Sequence, residues 1–193
     1  MSLGRWAHLG HRLGECWVDE THHLTYVHVP KNASSFIKGC LIGCYGMWKH
    51  SETLMPADQY LIVLRDPIER WVSGITQLMS VPDNQHLTLQ DLVSAVTFDD
   101  HTELQTYFLE GIDLDRCSFL RVDRNLRTNI KQWAIDNGYE INVDAVPNLN
   151  EGNQLAKDRF AAMIDGNSQI KLKLVTHYEQ DYALINRVKF YGN

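Results

Sequence analysis

The chain has 193 residues, 44% of them hydrophobic and 22% charged, the balance of an ordinary globular protein long enough to bury one good core. A formal net charge of −6 excludes a chain that gathers nucleic acid or acidic membrane through a global positive field, so any anion site must be built locally. No stretch approaches the roughly 18 apolar residues of a spanning helix, and the opening "MSLGRWAHLGHRLGE" has no apolar core of the signal-peptide kind, which leads us to expect a soluble, cytoplasmic protein with no membrane in the chain.

"LTYVHV" (Leu24 to Val29) reads as a short buried strand, rich in β-branched and aromatic residues. "FIKGCLIGCYGMW" (Phe36 to Trp48) carries apolar residues at helical spacing, interrupted by three glycines. "YLIVLR" (Tyr60 to Arg65) is a nearly continuous apolar run, the pattern of a strand covered on both faces. A helix follows over "DPIERWVSGITQLM", with Asp66 as N-cap and Pro67 at its first position. "TLQDLVSAV" opens on a Thr-x-x-Asp start signal at Thr88, and "TELQTYFLEG" (Thr102 to Gly111) reads as a further helix. "RCSFLRV" (Arg116 to Val122) is a third strand. "NLRTNIKQWAIDNG" (Asn125 to Gly138) is an amphipathic helix whose stripe is Leu126, Ile130, Trp133 and Ala134. "VPNLNEGN" (Val146 to Asn153) is loop, and "QLAKDRFAAMID" and "LVTHYEQDYALINRV" end the chain as helices. With no repeat or long linker, this order predicts a single α/β domain over residues 1–193 with a mainly parallel sheet and extra C-terminal helices. The four cysteines (Cys16, Cys40, Cys44, Cys117) form neither a CxxC pair nor a dense framework and are expected to be reduced, partly buried thiols; no metal spacing stands out.

Two stretches have the makings of an anion site. A phosphate-type site wants backbone N–H groups at a helix start, small residues that admit the anion, and a cation. In "PKNASS", Pro30 ends the strand, Lys31 supplies the charge, Asn32, Ala33, Ser34 and Ser35 are small, and Phe36 begins the helix. The lysine stands before the small residues and the glycines of GxxxxGK[ST] are missing, which disfavours an ordinary ATPase or GTPase loop. In the second stretch, Arg65 ends a strand at the edge where loops of an open parallel sheet gather, and Ser73 lies eight residues on. Arg65 offers a planar fork of donors and Ser73 a hydroxyl, with an ion pair to Asp66 or Glu69 as the plain alternative for the arginine. Arg70 is expected to serve structure.

"HVPKNASSFIK" followed, 34 residues after its lysine, by "RDPIERWVS" resembles the two signature segments of sulfotransferases that use 3'-phosphoadenosine 5'-phosphosulfate (PAPS), most closely the carbohydrate sulfotransferases of the Golgi. "DHTELQTYFL", "FLRVDRNL", "VPNLNEG" and "HYEQDYALINRV" are similar to later family segments in the same order, so the resemblance spans roughly residues 24 to 190. It implies a P-loop-like three-layer α/β/α fold, PAPS as donor, PAP as product, no metal, and a carbohydrate or small hydroxylated acceptor rather than nucleic acid. It also implies that Lys31 to Ser35 cradle the phosphosulfate and that Arg65 and Ser73 hold the 3'-phosphate. The family loop usually has Gly-Gly or Ala-Gly where this chain has Ala33-Ser34, which narrows the approach to the sulfate. The chain as given lacks the anchor and stem of the Golgi enzymes, so a compact microbial or viral version is expected, or a Golgi lumenal one had an anchor been removed.

Sulfuryl transfer needs in-line placement, charge stabilisation on the leaving oxygen and a base for the acceptor hydroxyl. Lys31 suits the electrostatic role. For the base, "WKHSETL" offers His50 first and Glu52 second, with His101 third; histidine lies nearer the ideal pKa. Trp48, Trp71 and Tyr107 could stack on a sugar, although aromatic residues at helical positions more often serve the core. The alternatives are an inactive PAP-binding protein of the same fold and a nucleotide kinase-like phosphotransferase.

Overall fold

The computed structural model describes residues 15–41, 48–147 and 154–192. Cys44, the histidines near the N-terminus and most of the 146–153 loop lie outside the described residues. The strands are β1 (Cys16–Asp19), β2 (Leu24–Val27), β3 (Trp48–Ser51), β4 (Gln59–Leu64) and β5 (Cys117–Arg121), hydrogen-bonded in the order β3-β1-β2-β4-β5. β2 pairs with β4, and β4 with β5, in parallel; β1 pairs antiparallel with both β2 and β3. The expected mainly parallel sheet is thus a mixed one. The parallel half is the β2-β4-β5 unit that the sequence displays, while β1 and β3 form an antiparallel wing. Neither wing strand announces itself: each is four residues long, and β3 is Trp-Lys-His-Ser, with one buried residue.

Seven α-helices occur among the described residues: α1 (Ser34–Leu41), α2 (Pro67–Met79), α3 (Leu89–Ala95), α4 (Leu126–Asp136), α5 (Gln154–Asp165), α6 (Ser168–His177) and α7 (Glu179–Arg187). Local chemistry sets several of their ends. The Asp66 carboxylate accepts from the N–H groups of Ile68 and Glu69 with Pro67 in the first turn, and Thr88 and Asp91 form a reciprocal capping box. Trp48, expected at the end of the first helix, belongs instead to β3.

Strand alternation divides the apolar side chains between two faces. Leu24, Tyr26, Leu61, Val63 and Leu120 meet Phe36 and Ile37 of α1 and Ile130 and Trp133 of α4. Val27, Ile62, Leu64 and Phe119 meet Phe108, Leu109 and Leu184. β4 is therefore buried on both sides, as its continuous apolar run predicts. A third cluster gathers Trp71, Ile75, Leu92, Ile164, Leu174 and Tyr178 from α2, α3, α5 and α6. No helix among the described residues is long and apolar enough to cross a membrane.

Two helical expectations are corrected. The segment 102–111 holds only a short 3-10 turn, Thr106–Leu109, because side chains claim its backbone: Asp181 accepts from the N–H groups of Gln105 and Thr106, and Arg70 donates to the carbonyls of Asp100 and Glu103. The last helix is two, broken at Tyr178, which is fully buried with its hydroxyl on the Thr102 carbonyl. α2 approaches this loop so closely that a Cβ on Gly74 would stand 2.9 Å from the His101 carbonyl oxygen and 2.9 Å from the Thr102 methyl. Gly74→Ala is expected to destabilise by about 1–3 kcal/mol through backbone displacement, read by thermal unfolding; an unchanged melting temperature would show that the loop yields freely.

Candidate functional site

The chain leaves β2 through Val29 and Pro30, turns, and enters α1 at Ser34. Lys31 (φ 67) and Ala33 (φ 56) both adopt the left-handed backbone that favours glycine, a strain of roughly 1–2 kcal/mol per residue for other L-residues. What holds the turn is Asn32. Its fully buried amide donates to the Val63 carbonyl at 2.7 Å and to Gln105 Oε1 at 2.7 Å, and its backbone N–H donates to the Val29 carbonyl at 3.3 Å. Asn32 was expected to contact the ligand; its side chain points inward as a peg, and Ala33, Ser34 and Ser35 are the loop residues that line the adjoining cavity with Lys31.

That cavity, about 740 Å³, also takes in Arg65 from the end of β4 and Ser73 from α2. The two stretches singled out in the sequence therefore meet on one wall. Arg65 lies with Nε 3.3 Å from Glu69 and Nη1 3.4 Å from the Lys31 carbonyl, so the ion pair and the cavity position coexist. Asp66 is occupied by the helix cap. Buried Arg70 is structural: Nε reaches the Pro30 carbonyl at 2.9 Å and Nη2 the Asp100 carbonyl at 2.8 Å, with Nη1 on Glu103.

Further cations come from places the motifs do not cover. Lys38 of α1, Arg124 and Arg127 around the start of α4, and Lys157 of α5 line the same cavity. Burial, then the charges of Lys157 and Arg65, pushes Lys31 down to about 8. Its ammonium is held at 2.5 Å by Gln77 Oε1 of α2. A chain of net charge −6 thus concentrates positive charge at one place.

The residues expected as base are dispersed. His50 stands on edge strand β3 with its side chain about half exposed, Nε2 3.2 Å from Glu15 and its ring 4.9 Å from Trp17; neither His50 nor Glu52 lines the cavity. The physical reason is that residues 48–51 form a sheet edge and do not prolong α1. His101 does line the cavity, buried and fixed by Asp99 at 3.0 Å and Asp100 at 3.3 Å. Among the described residues these three form the group with converging metal-ligand atoms, within 4.8 Å, and the contacts of the two carboxylates with the ring account for that convergence.

His28 is the wall residue that the motif reading missed. It is 3% exposed, with Nδ1 2.9 Å from Glu15 Oε2. The available signal was a histidine in strand register with Tyr26, a polar residue on an otherwise apolar face. Gln105 and Asp181, both fully buried, were quoted within segments but given no role; they tie the loops together. Trp48 and Trp71 are core, Tyr107 is exposed, and none lines the cavity. Cys16 and Cys117 are free thiols, Cys16 and Cys40 are buried, and burial pushes Cys117 up to about 12. No family model, no curated protein and no solved structure matches the chain.

Proposed function

We propose that the chain is a PAPS-dependent sulfotransferase that moves a sulfuryl group to a hydroxyl of a carbohydrate or small hydroxylated acceptor. The observation that carries this reading is the convergence of Lys31, Ser34 and Ser35 with Arg65 and Ser73 on one cation-rich cavity, from segments 34 residues apart in the sequence. The donor set suits a ligand with two anionic ends, and about 740 Å³ lies within the usual range for a small-molecule site. In this reading the fold is a P-loop-like three-layer α/β/α sandwich carrying an added antiparallel wing.

Lys31 and the serine hydroxyls would hold the phosphosulfate end, and Arg65 with Ser73 the 3'-phosphate. PAPS supplies the activated sulfuryl group. Lys31 balances charge on the leaving phosphate oxygen in a partly desolvated site, where a fixed cation acts most strongly. The cavity's cations offset the overall acidic charge for the donor; they leave the acceptor's identity open to assay.

The test is thermal stabilisation by PAP, beside AMP and ATP with magnesium, for the native chain and Arg65→Ala. Saturation at ~100 times the dissociation constant adds about 2.7 kcal/mol. The expected result is stabilisation by PAP that Arg65→Ala abolishes. Preference for ATP with magnesium would replace this reading with the kinase-like one. PAP binding without transfer to any acceptor would leave an inactive binding protein, and silence toward PAP in the folded protein would remove the site altogether.

A further inference from the structure

Neither of the two first-ranked base candidates reaches the cavity wall, and the part of the wall left out of that reading contains a buried histidine, His28, paired with the Glu15 carboxylate. His28 lines the cavity three residues before Lys31 and is 3% exposed. Its Nδ1 lies 2.9 Å from Glu15 Oε2. The second oxygen of the same carboxylate, Oε1, lies 3.2 Å from His50 Nε2. The Trp17 ring meets His28 edge-on at 5.5 Å and carries the Lys38 ammonium 4.4 Å above it. The imidazole is thus fixed by a carboxylate on one side and an indole on the other.

A carboxylate only accepts, so in the neutral ring Nδ1 bears the proton and Nε2 carries the lone pair. This is the orienting arrangement that prepares a histidine to take a proton. From this geometry we infer that His28 is the general base of the transfer, oriented by Glu15, with His50 linked to the pair through that carboxylate. The inference rests on the proposed sulfotransferase reading. In the step, the acceptor hydroxyl oxygen bonds to sulfur while the bond between sulfur and the phosphate oxygen breaks. The hydroxyl proton passes to His28 Nε2, and the electron pair of the broken bond leaves on PAP. No other reactant is needed.

His101, the other buried wall histidine, is oriented on Nδ1 in the same way by Asp99 and Asp100 and is the competing candidate. It sits on the loop that Arg70 and Asp181 tie down, whereas His28 directly follows β2 and stands three residues before Lys31. Among the described residues, the titratable groups around His28 are Glu15 before β1, His50 on β3, Lys31 in the loop and Lys38 on α1. Replacing Glu15 removes the carboxylate in contact with the ring among the described residues, so any acid limb belonging to His28 should move to lower pH.

The experiment measures PAP release from PAPS, in water alone and with methyl β-galactoside as probe acceptor, against pH. The proteins are wild type, His28→Gln, Glu15→Gln and His50→Gln, with PAP affinity measured in parallel. The expected result is a loss of about 10²-fold or more in turnover for His28→Gln, with PAP affinity kept and the acid limb gone, and a displaced limb for Glu15→Gln. Independently of turnover, nitrogen-15 spectra of the PAP-bound protein should show His28 protonated on Nδ1 and bare on Nε2. The opposite tautomer overturns the inference, as does a loss of rate and limb that follows His50→Gln or spares His28→Gln, while PAP binding leaves the donor reading standing. Failure of the wild type to bind PAP overturns both.

Discussion

Replacing Arg70 by methionine is expected to lower stability by about 3 kcal/mol, a fall of roughly 6–12 °C in melting temperature for a chain of this size. The guanidinium is almost completely buried and donates to the carbonyls of Pro30, Glu103 and Asp100, two of them in the 100–103 turn and one at the mouth of the anion loop. Methionine matches much of the volume but leaves those acceptors without their donor, and an unpaired polar group costs about 1–3 kcal/mol where water cannot replace the lost bond. Arg70→Lys keeps the charge but lacks the fork, so an intermediate loss is expected. If PAP binds as proposed, its stabilisation should weaken in both variants, because the Pro30 end of the loop is released. A methionine variant that melts within about 2 °C of the native chain would show that the clamp contributes little.

If the proposed sulfotransferase reading holds, Lys31→Ala is expected to reduce sulfuryl transfer by about 10²–10³-fold, the effect of losing one fixed charge at a developing oxyanion. The measurement is PAP release from PAPS at saturating donor. Stability should respond in the opposite sense. Burial and neighbouring cations hold this lysine at about 8, so folding places the ammonium where it is disfavoured. Between that value and the ordinary lysine value of about 10.4, the unfolded chain binds a proton that the folded chain has released, and stability rises with pH. Below about 8 both states are protonated and this slope vanishes. Lys31→Ala should therefore abolish a rise in stability across that alkaline window, visible in urea titrations at several pH values. On the proposed reading ligand affinity has the reverse dependence: a phosphosulfate or phosphate held by Lys31 would prefer the ammonium, so PAP affinity should fall as pH rises past about 8.

Much of the parallel half was legible because its signals are local. The apolar run of β4, the Asp66-Pro67 start of α2 and the Thr88–Asp91 box depend on residues within a few positions of one another. The wing was not: β1 and β3 are short, and β3 exposes Lys49 and His50, so hydrophobic alternation had nothing to register. The 102–111 segment carries helical spacing but surrenders its N–H groups to Asp181, 75 or more residues away, which no window on the sequence can anticipate. The same division runs through the site. Lys31, Ser34, Ser35 and Arg65 occupy strand ends and a helix start, and Ser73 sits inside the well-marked α2, whereas His28 gains its meaning from Glu15, and Lys157 from the return of α5 to the cavity. His50 was placed by its distance along the chain after α1; the edge strand takes it to a different rim.

Gln105 has one further consequence. Its side-chain oxygen accepts from Asn32 at 2.7 Å and from the Arg65 N–H at 3.0 Å, while its amide nitrogen donates to the Arg65 carbonyl at 2.9 Å. One buried side chain thus sets the gap between the two loops before any ligand arrives, like the fixed jaws of a calliper. On the proposed reading, a molecule with anionic groups at the matching separation would engage both jaws, the second end docking at high effective concentration once the first is held. A monoanion would gain one jaw alone, so discrimination between the two would come from a distance held within the protein.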